Sequence, residues 1–288
     1  FKGSNVALIT PFKNNQLDVD CYIKLIHFHL KNGTNGLVPA GTTGESPTLS
    51  HKEHEQVIEI CIKEAKGKIP IIAGTGSNST EEAISLTKYA EKVGANGALV
   101  VTPYYNKPTQ EGLFLHYEAI ACSVEIPQFL YNVPGRTACD MLPETVARLS
   151  TLPQVIGIKE ATGDLIRARQ IRQLCEIPIF SGDDETSCDL MLEGARGTIS
   201  VTANVVPGKL AAMAKAAVSG ELKNAKSIDR ELQVLHQNLF LESNPIPVKW
   251  ALSEMGKIDK GIRLPMTQFS AKYHDELRAA MHQAGVIN

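Results

Sequence analysis

The chain has 288 residues, of which 43% are hydrophobic and 21% are charged; this is the composition of a soluble globular protein, not of a disordered or fibrous one. Its 29 Lys and Arg residues against 31 Asp and Glu residues give a formal net charge of −2, so the basic excess typical of nucleic-acid-binding proteins is absent. No apolar run is long enough for a transmembrane helix, and the first residues do not resemble a secretory signal.

Cysteine usage predicts the compartment. The six cysteines are widely spaced, and none forms a C-x-x-C pair; they are Cys21, Cys61, Cys122, Cys139, Cys175 and Cys188. In a chain long enough to bury a large core, this spacing indicates free thiols in a reducing compartment, and we expect a cytoplasmic location. A catalytic cysteine is an alternative, although a free cysteine is more often a small buried hydrophobe.

Short β-rich apolar runs recur between residues 6 and 201, at intervals of roughly 20 to 35 residues, the size of a βα unit. The predicted strands are 6–9, 36–38, 69–73, 98–101, 128–131, 155–158, 177–180 and 198–201. Amphipathic helices are predicted between them at 20–31, 51–66, 80–93, 110–123, 143–150, 165–174 and 187–193. Eight such units predict the α/β class and a (β/α)₈ TIM barrel with parallel strands.

The pattern changes after residue 207, where the β-branched runs end and helical patterns rich in Ala, Leu, Lys and Glu begin. Helices are predicted at 209–218, 221–240, 247–255 and 270–284. We interpret the first as the eighth barrel helix and the others as a C-terminal helical extension. The predicted domains are therefore a barrel at 1–220 and a C-terminal helical domain at 221–288, which we expect to pack together because no flexible linker separates them.

Loops that follow barrel strands carry the chemistry of this fold. After the second strand, GTTGES at 41–46 places two hydroxyls between two glycines, an arrangement suited to a carboxylate or a phosphate, or simply a glycine turn. It lacks the end of a P-loop. After the third strand, GTG at 74–76 is only part of a dinucleotide fingerprint, which disfavours nicotinamide or flavin. Residues 79–82 (STEE) predict a capping box.

A lysine closes the sixth strand. Lys159 follows an apolar run, and burying a lysine costs free energy unless the amine is paired or deprotonated. A neutral amine can attack a carbonyl and form a Schiff base. The alternative is a structural ion pair with a neighbouring carboxylate such as Glu160 or Asp183.

The fifth strand ends with YNVPGR at 131–136. Tyr131 places a phenol at the strand end, where it can shuttle a proton, and Arg136 can hold a carboxylate with two hydrogen bonds. The alternatives are a buried core ring for Tyr131 and a surface ion pair for Arg136.

Four motifs in this order resemble the dihydrodipicolinate synthase family of pyruvate-dependent class I aldolases. They are GTTGE at 41–45, TPYYN at 102–106, YNVPGR at 131–136 and GIKEATG at 157–163. SGDD at 181–184, ISVTAN at 199–204 and NPIPVK at 244–249 extend the likeness over nearly the whole chain. The resemblance implies condensation of pyruvate with L-aspartate 4-semialdehyde in diaminopimelate and lysine biosynthesis, without a metal or cofactor.

The resemblance also implies residue roles. Lys159 would form the Schiff base, and Tyr131, Thr43 and Tyr105 would form a proton relay, with Tyr105 lent by a neighbouring subunit of a homotetramer (a dimer of dimers). Thr42 and Thr43 would bind the pyruvate carboxylate, and Arg136 the carboxylate of the second substrate. Two further positions would line the pocket, the loop at Gly182 and the carbonyl of Ile199.

A second ligand site is implied for L-lysine as a feedback inhibitor at a subunit interface. The residues that match it are Ser46, Leu49, His51, His54, Asn78, Glu82 and Tyr104. Pro47 and Lys107 depart from the residues usual in the family. Among the histidines, His51 and His54 are three apart on one helix, but they lack the H-E-x-x-H order of a zinc protease, and a solvated helix face is the plain alternative to a ligand role.

Two other functions remain open at this point. A related pyruvate aldolase, such as N-acetylneuraminate lyase or a 2-keto-3-deoxy sugar acid aldolase, would keep Lys159 and Tyr131 but would not need the carboxylate clamp of Arg136. A non-catalytic ligand sensor on the same barrel would use the histidine site alone. The presence of Lys159, Tyr131 and Thr43 together favours catalysis.

Overall fold

A parallel sheet closes into a barrel in the computed structural model, which describes residues 1–287. Its eight strands are Gly3–Ala7, Gly36–Val38, Ile72–Gly74, Gly97–Val101, Gln128–Asn132, Val155–Glu160, Ile179–Ser181 and Gly197–Ser200. The first strand pairs with both the second and the eighth, and the bridge between Leu37 and Ile71 joins the remaining two edges. The predicted (β/α)₈ barrel is therefore confirmed.

Helices alternate with the strands and continue beyond the barrel. The α-helices are Val19–Lys31, His51–Ala65, Thr80–Lys92, Gln110–Ala121, Pro134–Thr137, Pro143–Leu149, Leu165–Leu174, Ser187–Leu192, Pro207–Val218, Leu222–Asn238, Ile246–Glu254 and His274–Gln283. Most bounds lie within two residues of the prediction, because caps and apolar periodicity mark helix ends. The predicted helix at 270–284 instead starts with the 3₁₀ turn Ala271–Tyr273.

Only one of the two hydrogen bonds of the predicted capping box at residues 79–82 forms. The Ser79 hydroxyl accepts from the backbone N–H of Glu82, but the Glu82 carboxylate accepts from the Ser77 hydroxyl instead of from the backbone of Ser79. A complete capping box forms one helix earlier, between Ser50 and Glu53. Glu82 is thereby turned away from its own helix terminus and towards a neighbouring loop.

Several short elements were not predicted. Phe12–Lys13 and Gln16–Leu17 form a hairpin whose two turn residues, Asn14 and Asn15, both have positive φ, as a tight type I′ turn requires. The helix Pro134–Thr137 and the 3₁₀ turns Ser46–Thr48 and Thr202–Asn204 were also missed. Each is too short to show an apolar period.

The hydrophobic core has two layers. Inside the barrel, one apolar side chain or more from each strand packs with its neighbours, and Phe129 contacts Phe180 edge to face across the interior with their ring centroids 5.5 Å apart. A larger layer fills the space between strands and helices. Tyr131 belongs to the inner layer, and Lys159 is paired with it near the carboxyl ends of the fifth and sixth strands.

The C-terminal helices share the outer core with the barrel helices. Leu232 and Leu235 of the helix Leu222–Asn238 are fully buried, and Trp250 stacks on His274 with ring centroids 4.7 Å apart. Among the described residues, no helix combines the length and the apolar character needed to cross a membrane. The division into two domains remains a prediction.

Candidate active site

Lys159 and Tyr131 are neighbours on adjacent strands. The register pairs Tyr131 with Lys159, and Lys159 with Phe180 on the next strand. Because residues paired in a parallel sheet point to the same face, both side chains face the interior. The Lys159 Nζ lies 4.1 Å from the centroid of the Tyr131 ring, so the phenol stands directly beside the amine.

No described carboxylate pairs with Lys159. The alternative partners are engaged elsewhere: Glu160 accepts from the Asn132 amide and the Thr162 backbone, and Asp183 accepts from Thr186. Burial raises the pKa of Glu160, and these hydrogen bonds oppose that rise. Alternation along the strand turns Glu160 away from the interior, so the ion pair considered from the sequence does not form.

Gly182 gives Lys159 its space. A Cβ at position 182 would lie 2.8 Å from Cε of Lys159 and 2.6 Å from Cβ of Ala161. Real side chains almost never make contacts this close. Glycine is therefore required here by the path of the lysine side chain.

The loop after the second strand is folded by its own backbone. Gly44 and Ser46 donate to the carbonyl of Gly41, while the backbone N–H groups of Thr42 and Thr43 make no hydrogen bond within residues 1–287. A Cβ on Gly44 would lie 3.0 Å from the carbonyl oxygen of Leu8, which explains this glycine. The loop thus presents two backbone donors and two hydroxyls, the set that a carboxylate needs.

Two partners of this loop come from the C-terminal region, one from the turn before the helix Ile246–Glu254 and one from that helix, and neither was foreseen as a partner. The Asn244 amide donates to the Thr43 hydroxyl at 3.0 Å. The Lys249 ammonium forms a buried ion pair with Glu45. Burial lowers the pKa of Lys249, and Glu45 opposes that shift. A lysine within the otherwise apolar run 246–252 was the sequence signal for such a pair.

Arg136 and Tyr105 lie at the outer edge of the site. Arg136 is exposed on the short helix Pro134–Thr137 and lines the cavity that opens at the barrel mouth. Tyr105 has positive φ and is 88% exposed. Its hydroxyl makes no hydrogen bond with any described residue, so one subunit alone does not connect Tyr105 with Tyr131 and Thr43.

A cavity of about 420 Å³ is lined by residues from both predicted sites, but Lys159, Tyr131 and Thr43 are not among them. Thr42 and Arg136 line it together with six of the seven positions matched to the lysine site, which are Ser46, Leu49, His51, His54, Glu82 and Tyr104. Asn78 does not line it, and its carbonyl accepts from Asn106. Ile199 is buried in the inner core, with its side chain among the barrel residues.

Glu82 and two histidines give the far end of the cavity its polarity. Nε2 of His51 lies 3.4 Å from the Glu82 carboxylate. Burial lowers the pKa of His54 to about 4, so this ring is neutral at pH 7. In residues 1–287, no three His, Cys, Asp or Glu side chains form a group able to hold a metal ion.

Comparison with known proteins decides the family. A family model described as the dihydrodipicolinate synthetase family matches residues 1–284. The chain belongs to the dihydrodipicolinate synthetase family. A relative from Methylococcus capsulatus, named 4-hydroxy-tetrahydrodipicolinate synthase, is 55% identical over 289 residues and is aligned over 99% of both chains. The resemblance drawn from the motifs is confirmed.

Solved structures of the family have the same fold. A chloride-inhibited dihydrodipicolinate synthase from Acinetobacter baumannii, complexed with pyruvate, is 52% identical with a TM-score of 0.98, over 99% of both chains. A family member from Cyanidioschyzon merolae with lysine bound is 37% identical with a TM-score of 0.96, over 100% of this chain and 99% of that one. Family membership makes this chain an enzyme of the lyase class, and neither the sugar-acid aldolases nor a non-catalytic sensor is favoured.

Proposed function

We propose that the enzyme condenses pyruvate with L-aspartate 4-semialdehyde to form 4-hydroxy-tetrahydrodipicolinate, in diaminopimelate and lysine biosynthesis. The observation that carries the proposal is the environment of Lys159. It is a buried lysine without an ion-pair partner among the described residues, faces the barrel interior, and lies beside Tyr131. The family relation supports the same chemistry.

The reaction begins at the Lys159 amine. It attacks the keto carbon of pyruvate, and loss of one water leaves a Schiff base. Removal of a methyl proton gives an enamine, whose carbon forms a bond to the aldehyde carbon of the second substrate. The amino group of that substrate then attacks the imine carbon and displaces Lys159. The ring closes, and the free lysine is restored with one water released overall.

The surrounding groups supply orientation and proton transfer. The backbone N–H groups of Thr42 and Thr43 and the Thr42 hydroxyl hold the pyruvate carboxylate. Tyr131, Thr43 and Tyr105 form the proton relay, and Tyr131 carries protons to and from the carbinolamine because its phenol can both donate and accept. Arg136, at the cavity mouth, pairs with the carboxylate of the semialdehyde through two parallel hydrogen bonds. The loop at Gly182 and the carbonyl of Ile199 complete the pocket wall.

Reductive trapping tests the Schiff base. Borohydride added with pyruvate should attach one carboxyethyl group, which peptide mapping should assign to Lys159. Lys249 is a matched internal control, since it is equally buried but ion-paired with Glu45. Labelling at Lys249, or undiminished labelling of the Lys159→Ala variant, contradicts the assignment. A coupled assay with both substrates, run beside N-acetylneuraminate cleavage, tests the overall reaction.

We further propose that Tyr105 serves the site of a neighbouring subunit in a homotetramer arranged as a dimer of dimers. Its 88% exposure and its projection from a strained backbone support this role, as does the exposure of Tyr104 beside it. Some apolar side chains of the barrel helices, such as Leu115 and Ile166, are exposed in the single subunit. A tetramer of this kind would offer a neighbouring subunit to cover them.

Mixing two inactive variants tests the sharing of Tyr105. Lys159→Ala and Tyr105→Ala subunits, dissociated and reassociated at equal concentration, should recover about one quarter of the wild-type activity. Statistical pairing puts one complete site in every mixed dimer, and half of the dimers are mixed. No recovery, with mixed dimers demonstrated by tagged subunits, assigns Tyr105 to its own subunit instead.

We also propose that L-lysine inhibits the enzyme at the far end of the cavity. Glu82 suits the α-ammonium group, the Tyr104 hydroxyl suits the carboxylate, and His51 suits the side-chain ammonium. His54, which is neutral at pH 7, stands behind them together with Ser46 and Leu49. Asn78 belongs to this site only as a neighbour, through its link to Asn106.

Lysine titration at fixed pyruvate tests this site. Glu82→Gln should weaken inhibition about tenfold or more, because it removes a charge-assisted hydrogen bond. Glu81→Gln changes an exposed carboxylate in the same helical turn and should leave inhibition unchanged. Inhibition that competes with pyruvate, or that survives Glu82→Gln, would show that lysine does not inhibit through this site.

A cytoplasmic location also belongs to the proposal, and it is supported by the six free cysteines.

A further inference from the structure

Asn244 makes one side-chain hydrogen bond within residues 1–287, and that bond reaches the proposed relay. The residue is only 3% exposed and lines the cavity. Its Nδ2 donates to the Thr43 Oγ1 at 3.0 Å. Its Oδ1 is buried and has no partner within residues 1–287. The amide therefore faces Thr43 with its donor end.

This bond fixes the direction of the Thr43 hydroxyl. A hydroxyl has one hydrogen to donate and two lone pairs that accept. An amide N–H can only donate, so Asn244 occupies a lone pair and cannot take the hydroxyl hydrogen. The hydrogen of Thr43 has no acceptor within residues 1–287, so it is available to a substrate group or another member of the proposed relay.

We propose that Asn244 is a positioning residue that orients Thr43 as a proton donor towards the reacting groups. The inference rests on the proposed function, in which Thr43 belongs to the proton relay. Asn244 acts through Thr43 alone, so its contribution disappears when the Thr43 hydroxyl is removed.

Stability alone does not account for an amide at this position. A buried polar atom without a partner costs free energy, and an apolar side chain of the same shape avoids that cost. The loop also has a second anchor nearby, because Lys249 holds Glu45 and the carbonyl of Thr10. Packing alone does not require an amide here, so we assign the amide to the hydrogen bond that it donates to the Thr43 hydroxyl.

A double-mutant cycle tests the inference. Asn244→Leu should lower kcat about tenfold, the loss expected for one neutral hydrogen bond, with KM for pyruvate changed less than threefold. Thr43→Val should lower kcat at least a hundredfold, as for loss of a general acid–base group. Thr43→Val with Asn244→Leu should be no slower than Thr43→Val alone, since the two act as one unit.

The pH profile provides a readout that a structural role would not change. In Asn244→Asp the ionised carboxylate only accepts, so it captures the Thr43 hydrogen and reverses the bond. Activity relative to wild type should therefore rise as the pH falls and the carboxyl becomes protonated and able to donate. Asn244→Asp keeps the shape of the native side chain, so its pH profile covers the case in which Asn244→Leu folds poorly.

Asn238 is the matched control. It is 6% exposed, donates through Nδ2 to the carbonyl of Val234 at 2.8 Å, and also has an unpartnered Oδ1. Asn238→Asp should keep the wild-type shape of the pH profile. Additive losses in the cycle, or a flat pH ratio for Asn244→Asp, overturn the inference. Wild-type enzyme without synthase activity would instead contradict the proposed function.

Discussion

Two lysines are buried in this protein, and they differ in what surrounds them. Lys159 on the sixth strand is 6% exposed, and Lys249 on a C-terminal helix is 4% exposed. Both amines lie over an aromatic ring, 4.1 Å from the centroid of Tyr131 and 4.5 Å from that of Phe12. Lys249 also has the carboxylate of Glu45 and the carbonyl of Thr10. Within residues 1–287, Lys159 has neither a carboxylate nor a carbonyl partner.

The comparison shows that burial alone does not mark a reactive lysine. An ammonium group removed from water needs a counter-charge and hydrogen bonds to compensate its lost hydration. Lys249 has both, so its ammonium group stabilises the loop at 41–46 through Glu45. Lys159 lacks them, so its amine remains free to bond to a substrate carbon. Departures of this kind from ordinary packing rules are expected at functional sites.

The largest effect is expected from removing the unpaired lysine. Lys159→Met should lower kcat/KM by about 10⁴-fold or more, because the covalent route is lost. Thermal unfolding should be unchanged or shifted upwards, since no ion pair is broken. A variant that unfolds several degrees earlier would mean that Lys159 has a structural partner after all.

Removing the paired lysine should show the opposite pattern. Lys249→Met leaves the Glu45 carboxylate buried without its partner, and we expect a loss of about 3–5 kcal/mol in unfolding free energy. Denaturant unfolding measures this loss. At a temperature where the variant is folded, borohydride should still trap pyruvate on Lys159. Adding Glu45→Gln should restore part of the stability, and no restoration would contradict the pairing.

The next largest effect is expected from filling the space beside the Lys159 side chain. Gly182→Ala forces a methyl group against the lysine side chain, and we expect kcat to fall about a hundredfold, as for a displacement near 1 Å at a reacting group. Gly208 in the helix Pro207–Val218 is the matched control, because its Cβ would meet no atom closer than 3.8 Å. Equal activity of the two variants, measured under the same conditions, would show that Gly182 does not position Lys159.

The smallest effect is expected from breaking the ion pair between Arg263 and Glu53. The Arg263 guanidinium lowers the pKa of Glu53 to about 2. Because this pKa lies below its ordinary value near 4.5, the stabilisation is complete above that pH and is lost as the pH falls towards 2. Arg263→Met should therefore cost about 2 kcal/mol at pH 7.

The pH dependence checks this ion pair. The stability gap between wild type and Arg263→Met should narrow between pH 5 and pH 2 in denaturant titrations, as Glu53 is protonated in both proteins. A gap that stays constant over this range would show that Arg263 acts through packing on Phe12, whose ring centroid lies 4.0 Å from the guanidinium.

The sequence predicted what is local along the chain. Barrel strands repeat at regular intervals, and the positions at and just after their carboxyl ends led to the prediction of Thr43, Tyr131, Arg136 and Lys159 as site residues. Strand bounds were less accurate: the first was predicted at 6–9 but is Gly3–Ala7, since Leu8 and Ile9 are buried without belonging to the strand. An apolar run reports burial, not strand hydrogen bonding.

What is distant along the chain was not predictable. The partners of Thr43 and Glu45, which are Asn244 and Lys249, lie more than 200 residues away. No periodicity or spacing in a single sequence connects such positions. The partner proposed for Tyr105 belongs to another subunit, and the arrangement of Thr42 and Arg136 around the same cavity as the lysine-site positions depends on the folded shape.

The long reach of the Asn244 and Lys249 contacts also has a consequence for synthesis. A ribosome releases the chain from its amino end, so the loop at 41–45 emerges early and its two anchors emerge among the last residues. A nascent chain that ends after the eighth strand, Gly197–Ser200, already carries Lys159, Tyr131 and Arg136 but neither anchor. We therefore expect catalytic competence to appear only after translation has passed residue 249, well after the barrel strands are complete.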